Sequence, residues 1–102
     1  MSTVHIPAHL VHCQPRLTVS LRPGCIRLGC WFNGAQAIRL QMRYKGEPWF
    51  TLLDSCESPT IEDRTPVQVP GVEETREYRA IPLWQGEEVG QPSEVVSVTL
   101  PG

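Results

Sequence analysis

The segment Ile38-Arg39-Leu40-Gln41-Met42-Arg43-Tyr44-Lys45 decides the fold, because apolar and polar side chains alternate along its whole length. Successive side chains of a β-strand point to opposite faces of the sheet, so this alternation predicts a strand with one buried and one solvated face. The turn-forming residues Gly46-Glu47-Pro48 come next. They lead into the β-prone run Trp49-Phe50-Thr51-Leu52-Leu53, which is expected to lie beside the first strand.

The same alternation appears on both sides of this segment. Residues 16 to 22 and 26 to 31 predict two strands joined by the turn Pro23-Gly24. Residues 54 to 65 are polar and predict a loop that crosses between sheets, and the short run from Val67 to Val69, flanked by prolines, predicts an edge strand. Glu77 to Trp84 and Val95 to Leu100 complete a count of seven strands. The predicted fold class is therefore all-β, a seven-stranded antiparallel β-sandwich.

Two positions do not fit simple alternation. Trp31 comes one residue after the inward series Ile26, Leu28 and Cys30, so either a bulge shifts the strand or the indole faces outward. Pro82 interrupts a strand that should be central. In the same strand, Ile81 and Leu83 alternate in step with Arg79, so they would point to the solvent-facing side although they are apolar. A bulge near Pro82 is the interpretation that explains both observations.

The length of 102 residues suits one domain. We interpret residues 1 to 13 as an N-terminal arm and residues 14 to 102 as the folded domain. No apolar stretch approaches the ~18 residues needed to cross a bilayer, and the polar start of the chain lacks the pattern of a secretory signal. We therefore expect no membrane association and no export signal in the chain as given.

Three stretches resemble fibronectin type III domains. Residues 38 to 49 resemble that family's C strand and the turn after it, and residues 69 to 80 resemble its E to F corner, where an apolar residue precedes a tyrosine by six positions. Residues 90 to 101 are similar to its last loop and G strand. The resemblance covers residues 14 to 101 and implies structural roles for Tyr78, with a buried ring and a hydroxyl bonded to backbone, and for Val72 as the apolar anchor.

The resemblance implies a non-catalytic module that serves as a spacer or as a protein–protein interaction domain, alone or within a larger protein or assembly. Its partner would be another protein or a neighbouring domain, and self-association is possible. The family also includes cell-surface and extracellular modules, although the residues themselves do not decide the compartment. No Arg-Gly-Asp segment is present, so integrin-type adhesion is not expected.

Catalytic and cofactor chemistry finds little support in the composition. Nucleophilic catalysis usually needs a histidine base within hydrogen-bond reach, and no histidine follows position 12. No enzyme activity and no cofactor are expected. The alternative function is metal binding by the arm, where one helical face could carry His5, His9 and His12 with Cys13 adjacent.

The cysteines at positions 13, 25, 30 and 56 lack paired C-x-x-C spacing, so a zinc ribbon is not expected. Cys30 falls on the inward parity of its strand and is expected to pack as a small apolar residue. Free thiols are the preferred interpretation, and a bridge between Cys13 and Cys56 stays open for an exported parent chain.

Charge is distributed unevenly along the chain. Residues 1 to 46 hold six basic side chains and no acidic one, whereas residues 47 to 102 hold eleven acidic and three basic ones. Interleaved strands would let the two halves pair, and the other interpretation is a bipolar surface that favours head-to-tail contact. Nucleic-acid binding is not expected at a pI near 5.9. The candidate partner surface comprises Arg39, Gln41, Arg43, Trp49, Ile81 and Leu83, with Phe50 as the alternative to Trp49. It remains open whether its apolar members contact a partner or pack inside.

Overall fold

The computed structural model describes residues 5 to 102, and Met1–Val4 lie outside the described residues. It contains eight β-strands: β1 (Arg16–Arg22), β2 (Cys25–Trp31), β3 (Ala37–Tyr44), β4 (Thr51–Cys56), β5 (Thr60–Asp63), β6 (Glu74–Trp84), β7 (Glu87–Glu88) and β8 (Val96–Leu100). One turn of 3-10 helix, Ala8–Leu10, precedes them. The all-β prediction is confirmed for the described part of the chain.

The strands form two antiparallel sheets. One sheet has the order β1-β2-β5, and the other has the order β4-β3-β6, with β7 and β8 both pairing with the far side of β6. Strand β7 pairs with the end of β6 at Leu83 and Trp84, and β8 pairs with its beginning, from Glu74 to Tyr78. Each sheet therefore combines strands that are consecutive in sequence, such as β1 and β2, with strands that are distant, such as β2 and β5.

The inner faces of the two sheets share one core. Leu17, Ile26, Leu28 and Ile61 come from the three-stranded sheet, and Ile38, Leu40, Met42, Tyr78 and Ala80 come from the other. Leu28 and Leu40 are fully buried. Removing apolar side chains from water is the dominant favourable term in folding. Because the apolar side chains of β3 point into the core, its polar side chains point to the opposite, outer face of the sheet. The core packing therefore fixes which side chains form the candidate interaction surface.

The predicted number of strands was wrong. Residues 54 to 65 do not form a crossing loop but contain the end of β4 and all of β5, and the latter pairs with β2 through Leu28 and Ile61. The run from Val67 to Val69 does not form a strand, because it lies in the irregular segment between β5 and β6, where no neighbouring strand offers it a ladder of hydrogen bonds.

The alternatives left open at Trp31 and Pro82 are resolved. Strand β2 pairs with β1 without a register shift, and the Trp31 indole faces outward with 57% of its surface exposed. The predicted bulge at Pro82 is absent, since β3 and β6 pair in continuous register from Ala37–Leu83 to Tyr44–Arg76. Pro82 opposes Ile38 on β3, and the oxygen of Pro82 points the other way and accepts a hydrogen bond from the nitrogen of Val89.

Proline is tolerated in this strand because β7 and β8 leave a gap between them beside Pro82. The nitrogen and oxygen of one strand residue point toward the same neighbouring strand, so the missing N–H of Pro82 faces the β7 and β8 side. On that side, the pairing of β6 with β8 extends only as far as Tyr78, and its pairing with β7 starts only at Leu83. Pro82 therefore lies in a gap of the ladder, where no strand hydrogen bond is lost.

The arm folds back onto the end of the molecule. Leu10 and Cys13 form a small second core with Val89, and the nitrogen of Gln91 donates to the oxygen of Cys13 at 2.8 Å. Gly90 is required at this contact, because a Cβ there would lie 2.1 Å from the Cys13 oxygen. The boundary at residue 13 remains a prediction.

Candidate functional site

A buried polar network connects the two sheets. Tyr78, on the inner face of β6, donates its hydroxyl to Oδ2 of Asp63 at 2.5 Å, and Nη1 of Arg76 donates to the same oxygen at 3.1 Å. The other carboxylate oxygen of Asp63 accepts from the nitrogen and the hydroxyl of Thr65. Asp63 ends β5 in the three-stranded sheet, so these bonds join it to β6 in the five-stranded sheet.

Arg76 is fully buried, and its guanidinium holds the irregular segment between β5 and β6. Nε donates to Glu74 at 2.6 Å, and Nη2 donates to the backbone oxygens of Thr65 and Pro66. A buried charge is tolerated only when it is paired and hydrogen-bonded, and both conditions hold for Arg76. The network ties this segment to the core.

This geometry corrects the sequence interpretation of Tyr78 and Val72. The Tyr78 ring is fully buried as expected, but its hydroxyl bonds to a carboxylate and not to backbone. Val72 does not anchor the corner, since 56% of its surface is exposed. The anchoring role belongs to Asp63 and Arg76, because their hydrogen bonds replace the apolar contact.

The network shifts the ionisation of its members. Burial alone would raise the pKa of Asp63, but hydrogen bonds from Thr65 and Tyr78 and the charge of Arg76 outweigh burial, so its pKa lies below the ordinary value. Burial and the adjacent Asp63 carboxylate raise the pKa of Tyr78 far above its ordinary value. Asp63 is therefore ionised and Tyr78 neutral at pH 7.

Acid should weaken the fold through Asp63. Because its pKa is lower in the folded than in the unfolded chain, its contribution is complete above the unfolded pKa of about 4 and is lost as the pH falls through the folded value. We expect the free energy of unfolding to fall between about pH 5 and pH 2 and Asp63→Asn to flatten that slope. Urea unfolding at several pH values measures this. Glu57→Gln, at an exposed carboxyl, is the control, and an equal slope in wild type and Asp63→Asn would contradict the expectation.

The candidate interaction surface is the outer face of the sheet β4-β3-β6. We call Arg39, Gln41, Arg43, Phe50 and Arg79 the arginine face. Two guanidinium groups lie over the Phe50 ring, with its centroid 4.3 Å from Cζ of Arg43 and 4.2 Å from Cζ of Arg79. Such cation–π contacts are worth about 0.5–2 kcal/mol each, depending on exposure. The stack restricts the conformations of both arginines.

Hydrogen bonds fix the same side chains. Nε of Arg79 donates to Oε1 of Gln41 at 2.7 Å, and Nε of Arg43 donates to Oε1 of Glu77 at 2.9 Å. Arg39 is bonded through Nη1 to Glu88. Among residues 5 to 102, no carboxylate lies within ion-pair distance of Arg79. The arginine face therefore carries one positive charge that its own acids do not neutralise.

The apolar candidates around this face divide into two groups. Ile81 and Leu83 lie on the same outer face of β6 but are each only 6% exposed, so they support the face and cannot serve as anchors for a partner. Trp49 and Leu52 are 80% and 60% exposed, and Leu52 is opposite Gln41 across the strand pair. Arg79, a member of the arginine face, and Leu52, which lies beside it, were not included in the sequence interpretation.

The arm does not present its candidate ligands together. His5, His9 and His12 are exposed, whereas Cys13 is buried and its Sγ lies 3.3 Å from the backbone oxygens of Phe32 and Asn33. The expected helical face is wrong, since Pro7 leads into a single 3-10 turn. Within residues 5 to 102, no group of three side chains is placed to hold a metal ion.

All four cysteines are free thiols in the structure, including Cys13 and Cys56. Burial raises the pKa of Cys30 to about 11, with smaller contributions from the thiols of Cys56 and Cys13. Burial and the neighbouring Asp54 carboxylate likewise raise the pKa of Cys56 to about 11. Cys30 is 5% exposed in the main core, as its parity predicted. Neutral, buried thiols of this kind are poor nucleophiles.

The two oppositely charged halves of the sequence interleave in space. Three ion pairs join them: Arg27 with Glu62, Arg39 with Glu88, and Arg43 with Glu77. The pairs Arg27–Glu62 and Arg43–Glu77 connect neighbouring strands, as expected for opposite charges on paired strands, whereas Arg39–Glu88 joins β3 to β7 across β6. Half of the six basic side chains in residues 1 to 46 are thus paired with acidic side chains of the second half within the fold.

Comparison with known proteins adds no family assignment. No protein-family model matches the chain, and the search of curated proteins found no significant match. In the described part of the chain, no helix has the length and apolar character needed to span a membrane. The arginine face is therefore interpreted from its own geometry.

Proposed function

We propose that this chain is a non-catalytic module of the fibronectin type III kind that acts as a spacer and binds a protein partner through the arginine face. The strand neighbours support the fold proposal. Strand β2 lies beside β5 and β3 lies beside β6, which are the B–E and C–F neighbours of such a sandwich. Tyr78 is buried on β6, in the strand where that family places its corner tyrosine.

The positions of the first and last strands support a spacer role. Strand β1 begins at the end of the molecule where the arm lies, and β8 finishes at the opposite end, beside the turn between β1 and β2. Chain that precedes β1 and chain that follows β8 would leave from opposite ends. A module with this geometry separates its neighbours along one axis.

The stack of Arg43, Phe50 and Arg79 carries the proposal of partner binding. Arginine and aromatic side chains are enriched at the centres of interfaces, and ordering them beforehand lowers the entropy cost of association. Arg79 has no ion-pair partner among residues 5 to 102, and Trp49 and Leu52 are exposed, so these three side chains define the partner's chemistry. The partner presents a carboxylate for Arg79 next to apolar side chains for Trp49 and Leu52.

Peptides selected on the whole chain from a random display library test this proposal. We expect the selected sequences to combine Asp or Glu with apolar residues and Arg79→Glu to weaken their binding about thirtyfold, equivalent to ~2 kcal/mol. Binding is measured by isothermal titration calorimetry. Arg27→Glu is the matched control, since Arg27 is an exposed arginine on the outer face of the other sheet.

Two results would contradict the proposal. One is a set of selected peptides whose affinity is the same for wild type and Arg79→Glu. The other is an equal loss in Arg79→Glu and Arg27→Glu, which would indicate attraction by overall charge alone. Circular dichroism of both variants checks that the fold is retained.

A further inference from the structure

A second surface, distinct from the arginine face, lies at one end of the sandwich. A pocket of about 370 Å³ opens there between the turn joining β1 to β2, the segment after β5 and the end of β8. We call it the basic pocket. Its apolar wall includes Leu21, Ile26, Val67 and Leu100, and its charged rim includes Arg22 and Arg64.

The rim of the basic pocket has an excess of positive charge. Arg22 has no ion-pair partner within 4.0 Å among residues 5 to 102. Glu62 is shared by two arginines, Arg64 at 2.5 Å and Arg27 at 3.5 Å. Asp63 lines the pocket but is already bonded to Arg76 and Tyr78. The pocket therefore lacks a free carboxylate of its own to neutralise Arg22.

The opposite end of the sandwich has complementary properties. Glu57 follows β4, Glu87 begins β7, and Glu94 lies beside Asn33 just before β8. All three are exposed, and none has an ion-pair partner in the described chain. Arg16, which begins β1 at this end, stacks on Trp31. We call this region the acidic end.

The acidic end also exposes apolar side chains of the arm. The arm packs against Val89, next to the Glu87–Glu88 strand, through Leu10 and Cys13. Its other apolar side chains, Ile6 and Val11, stay 42% and 49% exposed. The acidic end thus combines carboxylates with aliphatic side chains, and the basic pocket combines arginines with an aliphatic wall. Leu21 in that wall is 47% exposed.

From this double complementarity we propose that the basic pocket of one molecule binds the acidic end of a second copy. The contact is heterologous, because each molecule uses one end to bind and offers the other end to the next. Complementary fields guide the approach, and aliphatic side chains of the arm enter the pocket. Repetition produces end-to-end chains of modules. This proposal does not rest on the arginine face.

Charge reversal at the two ends gives the decisive experiment. Variant one is Arg22→Glu/Arg64→Glu, which makes the pocket rim acidic, and variant two is Glu87→Arg/Glu94→Arg, which makes the acidic end basic. All four side chains are exposed, so the fold is expected to survive. Sedimentation velocity over a concentration series at low salt, with 0.5 M salt for comparison, measures assembly.

Wild type is expected to sediment faster as its concentration rises at low salt and to dissociate at high salt, because exposed charges are screened. Each variant alone is expected to lose association at least about tenfold. An equimolar mixture of the two is expected to associate again, since every contact in an alternating chain pairs opposite charges. Lys45→Glu is the control: Lys45 is an exposed base at the same end of the sandwich but outside the pocket, so this variant is expected to associate like wild type.

Four outcomes would overturn the proposal. They are a wild type that stays monomeric at every concentration, variants that still assemble alone, a mixture that does not recover association, and an equal loss in Lys45→Glu. Binding of peptides by the arginine face would be unaffected by any of these results, so failure here is distinguishable from failure of the proposed function.

Discussion

Replacing Arg76 with alanine is expected to lower the free energy of unfolding by about 3–5 kcal/mol. The substitution removes the cation that Asp63 and Glu74 face, and both carboxylates have little access to water, with 1% and 9% of their side-chain surfaces exposed. A buried charge without a partner carries an uncompensated desolvation cost. The loss is a large part of the 5–15 kcal/mol that stabilises a typical domain.

Urea unfolding followed by intrinsic fluorescence measures the effect of Arg76→Ala. Arg64→Ala is the matched control, because the Arg64 side chain is 68% exposed and its pair with Glu62 is a surface ion pair worth at most about 1 kcal/mol. Arg76→Lys, which keeps the charge but loses part of the hydrogen-bond geometry, should fall between the control and Arg76→Ala. A loss below about 1 kcal/mol in Arg76→Ala would show that the network does not support the fold.

Two adjacent substitutions in β3 should have very different effects. Leu40→Ala is expected to cost about 2–5 kcal/mol, because Leu40 is fully buried between the sheets and its removal leaves a cavity. Gln41→Ala is expected to cost about 1 kcal/mol or less, since Gln41 lies on the outer face and loses one hydrogen bond to Arg79. The same urea experiment measures both.

Similar losses in Leu40→Ala and Gln41→Ala would contradict the alternation on which both the core and the arginine face depend. A larger loss in Gln41→Ala would reverse the assignment of the two faces. In either case the arginines of β3 could not share the solvated surface described above.

The strands with a regular apolar period were predictable from the sequence. Strand β1 begins and ends where alternation begins and ends, at Arg16 and Arg22. Strand β5 was not predicted because one of its two inward residues is Asp63. A charged residue at that position indicates a loop unless its buried hydrogen-bond partners are known. Those partners, Arg76 and Tyr78, are distant in sequence and are brought together only by the pairing of whole strands.

The candidate site was predictable in part. Alternation in β3 placed Arg39, Gln41 and Arg43 on one outer face, as the structure has them. It could not show that the Phe50 ring contacts both Arg43 and Arg79, because those contacts depend on how the turn after β3 returns to the sheet. It also could not show that Ile81 is buried on an outer face.

Through-space backbone contacts measured by nuclear magnetic resonance test the central claim most directly, namely that two sheets of defined strand order turn the arginine face outward. We predict contacts between Leu28 and Ile61 in one sheet and, in the other, between Leu40 and Ala80 and between Arg43 and Glu77. Contacts that pair β2 directly with β3, or a register in which Arg43 faces Tyr78, would contradict this claim.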